Sequence, residues 1–198
     1  MMETSASLSF RAVACLRGDR LLFEGMDFTL SAGEAALVAG PNGTGKSSLI
    51  RLAAGLLHPA AGRIDRQGNM AMSDENLALD IDKPLHRALD FWARIDGSGN
   101  AALDEALAAL SLDRLADVPV RMLSTGQRKR AMLARVIASG ASIWLLDEPA
   151  NGLDTASLEL LGGIMQIHLA GGGIILAASH QPLPLIFTHQ IALGAVSA

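Results

Sequence analysis

The chain has 198 residues, a formal net charge of -4, one cysteine and no tyrosine, and half its residues are hydrophobic. That is enough chain for one domain with a full core and no metal or disulfide staples. The acidic balance argues against a nucleic-acid binder, the lone Cys15 excludes an internal disulfide and points to a reducing compartment, and no run of about 18 apolar residues is present to span a bilayer.

In chain order, Leu8–Ala14 alternates weakly as a strand and Gly18-Asp19 reads as a turn. Leu21–Phe23 and Met26–Leu30 then read as strands, the second with Met26, Phe28 and Leu30 on one face. Ala35–Ala39 is a short apolar run closed by Gly40-Pro41, the pattern of a strand buried on both faces. Lys46 to Leu57 follows helical spacing, and Pro59 and Gly62 end it. From about Pro84 to Ala138 the pattern is helical throughout: Leu85–Ala93, Asn100–Leu110 and Gln127–Ser139. Strand signals return at Ile143–Asp147 and Ile174–Ser179 around a helix at Ala156–Leu169, and Ile191–Val196 reads as a last strand. Alternating strands and helices predict a mostly parallel core sheet. The opening run of strands predicts a small antiparallel β subdomain, and the helical stretch an insertion. The start of the chain has no basic segment followed by an apolar core, so it does not read as a secretory signal. A cytoplasmic protein is expected.

Three motifs carry chemistry. Gly40-Pro41-Asn42-Gly43-Thr44-Gly45-Lys46-Ser47, between a buried strand and a helix, matches a phosphate-binding P-loop. Its glycines let backbone N–H groups approach phosphate oxygens, and the helix N-terminus adds a positive dipole end. Lys46 is expected at the β- and γ-phosphates and the Ser47 hydroxyl at Mg²⁺. Ile143–Leu146 is an apolar strand followed by Asp147 and Glu148. The first carboxylate suits a Mg²⁺ ligand, the second a base for the water that attacks the γ-phosphate. In Leu123-Ser124-Thr125-Gly126-Gln127, Ser124 and Gln127 have capping-box spacing. A capped helix start carrying a glycine is equally an anion site.

Gly40–Ser47, Leu123–Gln127, Ile143–Glu148, Asn151-Gly152-Leu153-Asp154 and His180 stand in the order of the Walker A, signature, Walker B, D-loop and H-switch motifs, and in this the whole chain resembles the ABC ATPases. The resemblance implies a P-loop NTPase fold of ABC ATPase type in one domain, 1–198. Residues 1–75 and 138–198 would form the nucleotide-binding core and 76–137 the helical subdomain. It implies ATP and Mg²⁺ as ligands, with ATP held by the P-loop through Ser48. It also implies a head-to-tail dimer in which Ser124, Thr125, Gly126 and Gln127 of one copy close over the ATP on Lys46 of the other. His180 would contact the γ-phosphate, and Asp154 would link the two sites.

Trp144 in the Walker B strand, the run Ser179-His180-Gln181-Pro182-Leu183 and the short chain resemble the ATP-binding subunits of the haem exporter of cytochrome c maturation. That implies membrane permease partners of the CcmB and CcmC type and a peripheral place on the inner face of the cell inner membrane. ATP hydrolysis would drive haem delivery or release of a haem-loaded chaperone. An importer or exporter of another small molecule would carry the same motifs.

Two positions depart from the ABC pattern. The aromatic residue that stacks on adenine is missing, and Arg17 falls near its place. A guanidinium can stack on a base, or Arg17 can be a solvated arginine beside Gly18. The glutamine expected between the P-loop core and the helical block is also missing. Gln67 lies too early, and Glu75 or Asn76, either able to offer oxygen to Mg²⁺, stands nearer the place.

Overall fold

The structure, a computed structural model, describes residues 5–74, 76 and 78–194. Three strands form an antiparallel sheet in the order β2-β1-β4: β1 (Ser7–Arg17), β2 (Arg20–Ser31) and β4 (Ala61–Gln67). Five form a parallel sheet in the order β5-β6-β7-β3-β8: β3 (Ala35–Ala39), β5 (Met70–Ser73), β6 (Ile143–Asp147), β7 (Ile174–Ala178) and β8 (His189–Ala192). The helices are α1 (Lys46–Ala53), α2 (Leu85–Asp96), α3 (Asn100–Ala109), α4 (Thr125–Ala138) and α5 (Thr155–Ala170).

The parallel sheet divides two cores by simple alternation. From β6, Ile143 and Leu145 pack on the side of α1 and the antiparallel sheet, while Trp144 and Leu146 pack on the side of α2–α5. In β7, Ile174, Leu176 and Ala178 face the first core and Ile175 and Ala177 the second. Both strands are buried over their full length, which is why they read as continuous apolar runs rather than alternating ones. Leu103, Leu107, Leu110 and Leu112 fill the second core from the helical block. Among the described residues no helix is long and apolar enough to cross a membrane.

Beyond shifts of a few residues at the ends of β1, α2, α4 and β7, the structure departs from the sequence reading at β2, at β4 and β5, at the end of α1 and at the last strand. Leu21–Phe23 and Met26–Leu30 are one strand, β2. Gly25 bends it at a φ of 61°, and the pairing with β1 shifts around Val13. At that irregularity the Asp27 carboxylate accepts the Ala12 N–H at 2.8 Å. The strands β4 and β5 carry no sequence signal. The first is a polar strand at the edge of its sheet with Ile64 as its one core contact, and the second has four residues. Helix α1 stops at Ala53 rather than Leu57. There Gly55 takes a left-handed φ of 76°, and the Arg66 guanidinium donates to the carbonyls of Leu52 and Ala53, so a cation from β4 satisfies the helix's open end. The last strand starts at His189, two residues before the expected Ile191, because Thr188 bonds both the Ala35 N–H and the Ala35 carbonyl and brings the chain into register there. Val196 lies outside the described residues.

At the end of the sheet opposite the P-loop, the His168 ring stacks on Trp144 at 3.8 Å between centroids and meets the Ile174 carbonyl at 3.3 Å. Burial holds its imidazole below the usual histidine range, and the Ile174 carbonyl opposes that shift. The unfolded chain therefore takes up a proton at His168 before the folded one does, so this contribution to stability is complete above pH about 6.5 and is lost as pH falls through the lowered folded value. Urea midpoints of the wild type are expected to fall between pH 7.5 and 5.5, and His168→Phe, which keeps a stacking ring, is expected to lose less over the same interval.

Candidate functional site

The P-loop joins the end of β3 to the start of α1, and two glycines permit its shape. Gly40 has a φ of 152°, and a Cβ there would lie 2.3 Å from the Leu193 carbonyl oxygen. Gly45, the residue before α1, sits at 107°, pressed against Leu22 and Phe23 of β2. The loop is closed from within, as the Thr44 hydroxyl donates to the Pro41 carbonyl at 2.8 Å. Lys46 is 6 % exposed, and its ammonium donates to the carbonyls of Gly40 at 2.9 Å and Pro41 at 3.2 Å and reaches Asn42 Oδ1 at 3.5 Å. No ion pair of Lys46 with a carboxylate is found among the described residues. A buried cation held only by neutral oxygens is a countercharge ready for an anion.

Asp147 and Glu148 stand at the C-terminal end of β6, next to the loop. Burial raises the Asp147 carboxyl above the usual range. The Ser47 hydroxyl bonded to it pulls the other way, and the charge of Glu148 pushes it further up. Its Oδ1 is buried with no hydrogen-bond partner. An orphaned carboxylate oxygen beside a serine hydroxyl suits a hard cation with oxygen ligands, so Ser47 and Asp147 fit Mg²⁺. Glu148 has a φ of 49°, a conformation that costs a residue with a side chain of order 1–3 kcal/mol and that collects at functional sites. The strain aims its carboxylate at His180, which follows β7. Oε2 lies 2.8 Å from His180 Nδ1 and accepts the His180 N–H at 3.2 Å.

One cavity of about 410 Å³ collects these groups. Of the residues singled out in the sequence, Asn42, Gly43, Gly45, Lys46, Ser47, Ser48, Asp147, Glu148 and His180 line it. Gly40, Pro41 and Thr44 shape the loop behind them. Leu22 and Asn151 also line the cavity. Sequence reasoning missed Leu22 because nothing in its strand's pattern says that it faces the loop. Arg17 is not among the lining residues: it is exposed and pairs with Arg20 at the hairpin end. Asn76 lies in a separate small cavity, and Glu75 lies outside the described residues.

Ser124, Thr125, Gly126 and Gln127 lie away from this cavity at the start of α4, with Ser124 and Thr125 exposed. The capping box forms in full: Ser124 Oγ accepts the Gln127 N–H at 3.2 Å and Gln127 Oε1 accepts the Ser124 N–H at 2.8 Å. Gly126 lies so close to the Gly152 carbonyl that a Cβ would stand 3.0 Å from it. The signature turn and the D-loop of one chain are therefore neighbours. Asp154 caps α5, accepting the Ser157 N–H at 2.8 Å, and hydrogen bonds from the Ser157 side chain and backbone hold its carboxyl below the usual range. Ser124→Ala removes a cap with two reciprocal bonds and is expected to cost about 1 kcal/mol in a urea titration, while Thr125→Ala, which breaks neither cap bond, should cost clearly less.

The sequence profile of the ABC transporter family matches residues 23–151. The chain is 55 % identical to the cytochrome c biogenesis ATP-binding export protein CcmA of Sphingopyxis alaskensis, over 96 % of this chain and 98 % of that protein. It is 56 % identical to the protein of the same name from Zymomonas mobilis, over 91 % and 81 %. An ABC transporter ATP-binding protein from Pyrococcus furiosus has the same fold, with a TM-score of 0.81 at 22 % identity over 94 % of this chain and 97 % of that one. P-loop, buried strand, paired carboxylates, capped signature turn and near full-length identity agree, and the chain belongs to the ABC transporter family, among the CcmA-type ATP-binding proteins of cytochrome c biogenesis.

Proposed function

We propose that this chain is the ATP-binding and ATP-hydrolysing subunit of the ABC-type haem exporter of cytochrome c maturation. One observation carries the ATPase reading: Lys46, the orphaned Asp147 oxygen and the Glu148–His180 pair share one cavity. The cargo rests on the likeness to the CcmA relatives.

The triphosphate of ATP is the natural ligand of this arrangement. Lys46 exchanges its loop carbonyls for the β- and γ-phosphates, and the backbone N–H groups of the loop and of the first turn of α1 surround them. Ser47 and Asp147 would hold Mg²⁺, which when bound neutralises charge on the phosphates. Glu148 orients the attacking water and accepts its proton. His180 fixes the Glu148 carboxylate through Nδ1 and leaves its other ring nitrogen for the γ-phosphate. Asn76 and Glu75 are the candidates for a further oxygen near the cation, and Arg17 for a guanidinium over adenine.

Ser124, Thr125, Gly126 and Gln127 complete the site from a second copy, with head-to-tail pairing and Asp154 at the junction of the two sites. Permease subunits of the CcmB and CcmC type would hold this subunit at the inner face of the cell inner membrane. Coupled to them, hydrolysis would drive haem delivery or release of the haem-loaded chaperone.

Lys46→Ala removes the main countercharge and is expected to weaken ATP binding at least about tenfold in equilibrium titrations. Glu148→Gln should keep ATP binding and lose about 10²–10⁴-fold in turnover, the usual worth of a positioned base. Full turnover in that variant would place the base elsewhere.

A further inference from the structure

Helix α1, whose first turn carries Lys46 and Ser47, has only eight residues and is about 12 Å long. All three strands of the antiparallel sheet hold it. At its N-terminal end Gly45 is pressed against β2 so closely that a Cβ would stand 3.2 Å from Leu22 and 3.3 Å from Phe23. Three residues on, Ser48, which lines the nucleotide cavity, shares a side-chain hydrogen bond with the Cys15 thiol of β1. At the C-terminal end the Arg66 guanidinium of β4 donates from Nε to the Ala53 carbonyl at 2.6 Å and from Nη2 to the Leu52 carbonyl at 2.5 Å.

The contact from β4 does more than close a helix end. The Leu52 carbonyl already accepts the Gly55 N–H at 3.1 Å, and the Ala54 and Leu56 N–H groups close the last turn on the carbonyls of Ile50 and Arg51. Arg66 therefore adds a tie between α1 and β4. Strand alternation aims it: Ile64 and Arg66, two residues apart, face α1, and Ile64 packs against the core that includes Leu52 and Ala53. Arg63 and Asp65, between and before them, are exposed and pair with each other. Nη1 of Arg66 also donates to the Ile64 carbonyl at 3.3 Å, so one planar fork is fixed on strand and helix together. A tilt of about 5° about such a tie moves the far end of a helix about 12 Å long by about 1 Å. A misplacement of about 1 Å arising far from the chemistry can cost about 10²-fold in rate.

We propose that Arg66 is a positioning residue for the triphosphate: by tying the C-terminal end of α1 to β4, it fixes the first turn of the helix, with Lys46 and Ser47, against Asp147 and Glu148 at the end of β6. Arg66 is not among the residues that line the cavity, so it acts through α1. The inference rests on the reading that the cavity takes Mg–ATP.

Arg66→Met keeps the apolar stem and removes the fork. It is expected to weaken Mg–ATP binding about tenfold in equilibrium dialysis and to lower kcat/KM by at least as much. Arg66→Lys, which keeps a donor and the charge but not the fork, is expected to recover part of both. Arg63→Met, on the exposed face of the same strand, should stay within about threefold of the wild type in each. Inorganic tripolyphosphate with Mg²⁺ is expected to show the same loss in Arg66→Met as Mg–ATP does, because the tie acts on the phosphate end. A lowered urea midpoint with Mg–ATP affinity and kcat/KM unchanged would make Arg66 a structural cap only and overturn the proposal. A loss seen with Mg–ATP but not with tripolyphosphate would place the effect at the base and also overturn it. If Arg66→Met does not fold, Arg66→Lys carries the test, and wild-type affinity and kcat/KM in that variant would overturn the proposal. Failure of the wild type itself to bind Mg–ATP would overturn it together with the proposed function.

Discussion

Burial of β6 and β7 on both faces decides where this chain can keep charge. Residues 143–146 and 174–178 have apolar cores on either side of them, and an unpaired charge in that interior would cost several kcal/mol. Ionisable groups on these strands are therefore confined to their ends. Asp147 closes β6, Glu148 follows it, His180 comes two residues after β7, and Lys46 follows the loop that leaves β3. Parallel strands bring those C-terminal ends to one edge, and the chemistry collects there.

That edge is organised around mismatched satisfaction. Lys46 is buried with only neutral oxygens to hold it, while Asp147 is buried with one oxygen unpartnered. The two charges lie in one cavity with no salt bridge between them. In a stable core this would be a fault. In a site for a polyanion and its cation it is preorganisation, because donors and acceptors stand ready for groups the protein does not itself provide. The strained φ of Glu148 belongs with this: the Glu148 N–H to Ala178 bond at 2.8 Å and the two bonds from His180 hold the backbone there.

Much of this was legible in the sequence wherever a local rule had no competitor. Buried parallel strands announce themselves as short apolar runs, and 35–39 and 143–147 matched residue for residue. The P-loop is readable because its backbone needs glycine at fixed places. The strands β4 and β5 were not legible. Ala61–Gln67 is held by pairing with β1 rather than by its own pattern, since Arg63, Asp65 and Arg66 belong equally to a loop. Leu22 was missed for a related reason: its closeness to Gly45 depends on how one sheet sits on the other. The capping box at Ser124 was legible and forms as expected, and its geometry is compatible both with starting a helix and with presenting that helix start to phosphate in a second copy.

The proposed triphosphate site is the cavity between the P-loop and the ends of β6 and β7. A crystal structure of the Glu148→Gln protein with ATP and Mg²⁺ tests it most directly. Lys46 Nζ is expected to leave the Gly40 and Pro41 carbonyls for phosphate oxygens, and the Ser47 hydroxyl and the free oxygen of Asp147 to meet the cation, directly or through its water. A nucleotide bound elsewhere, or bound here with Lys46 still on its loop carbonyls, would contradict it.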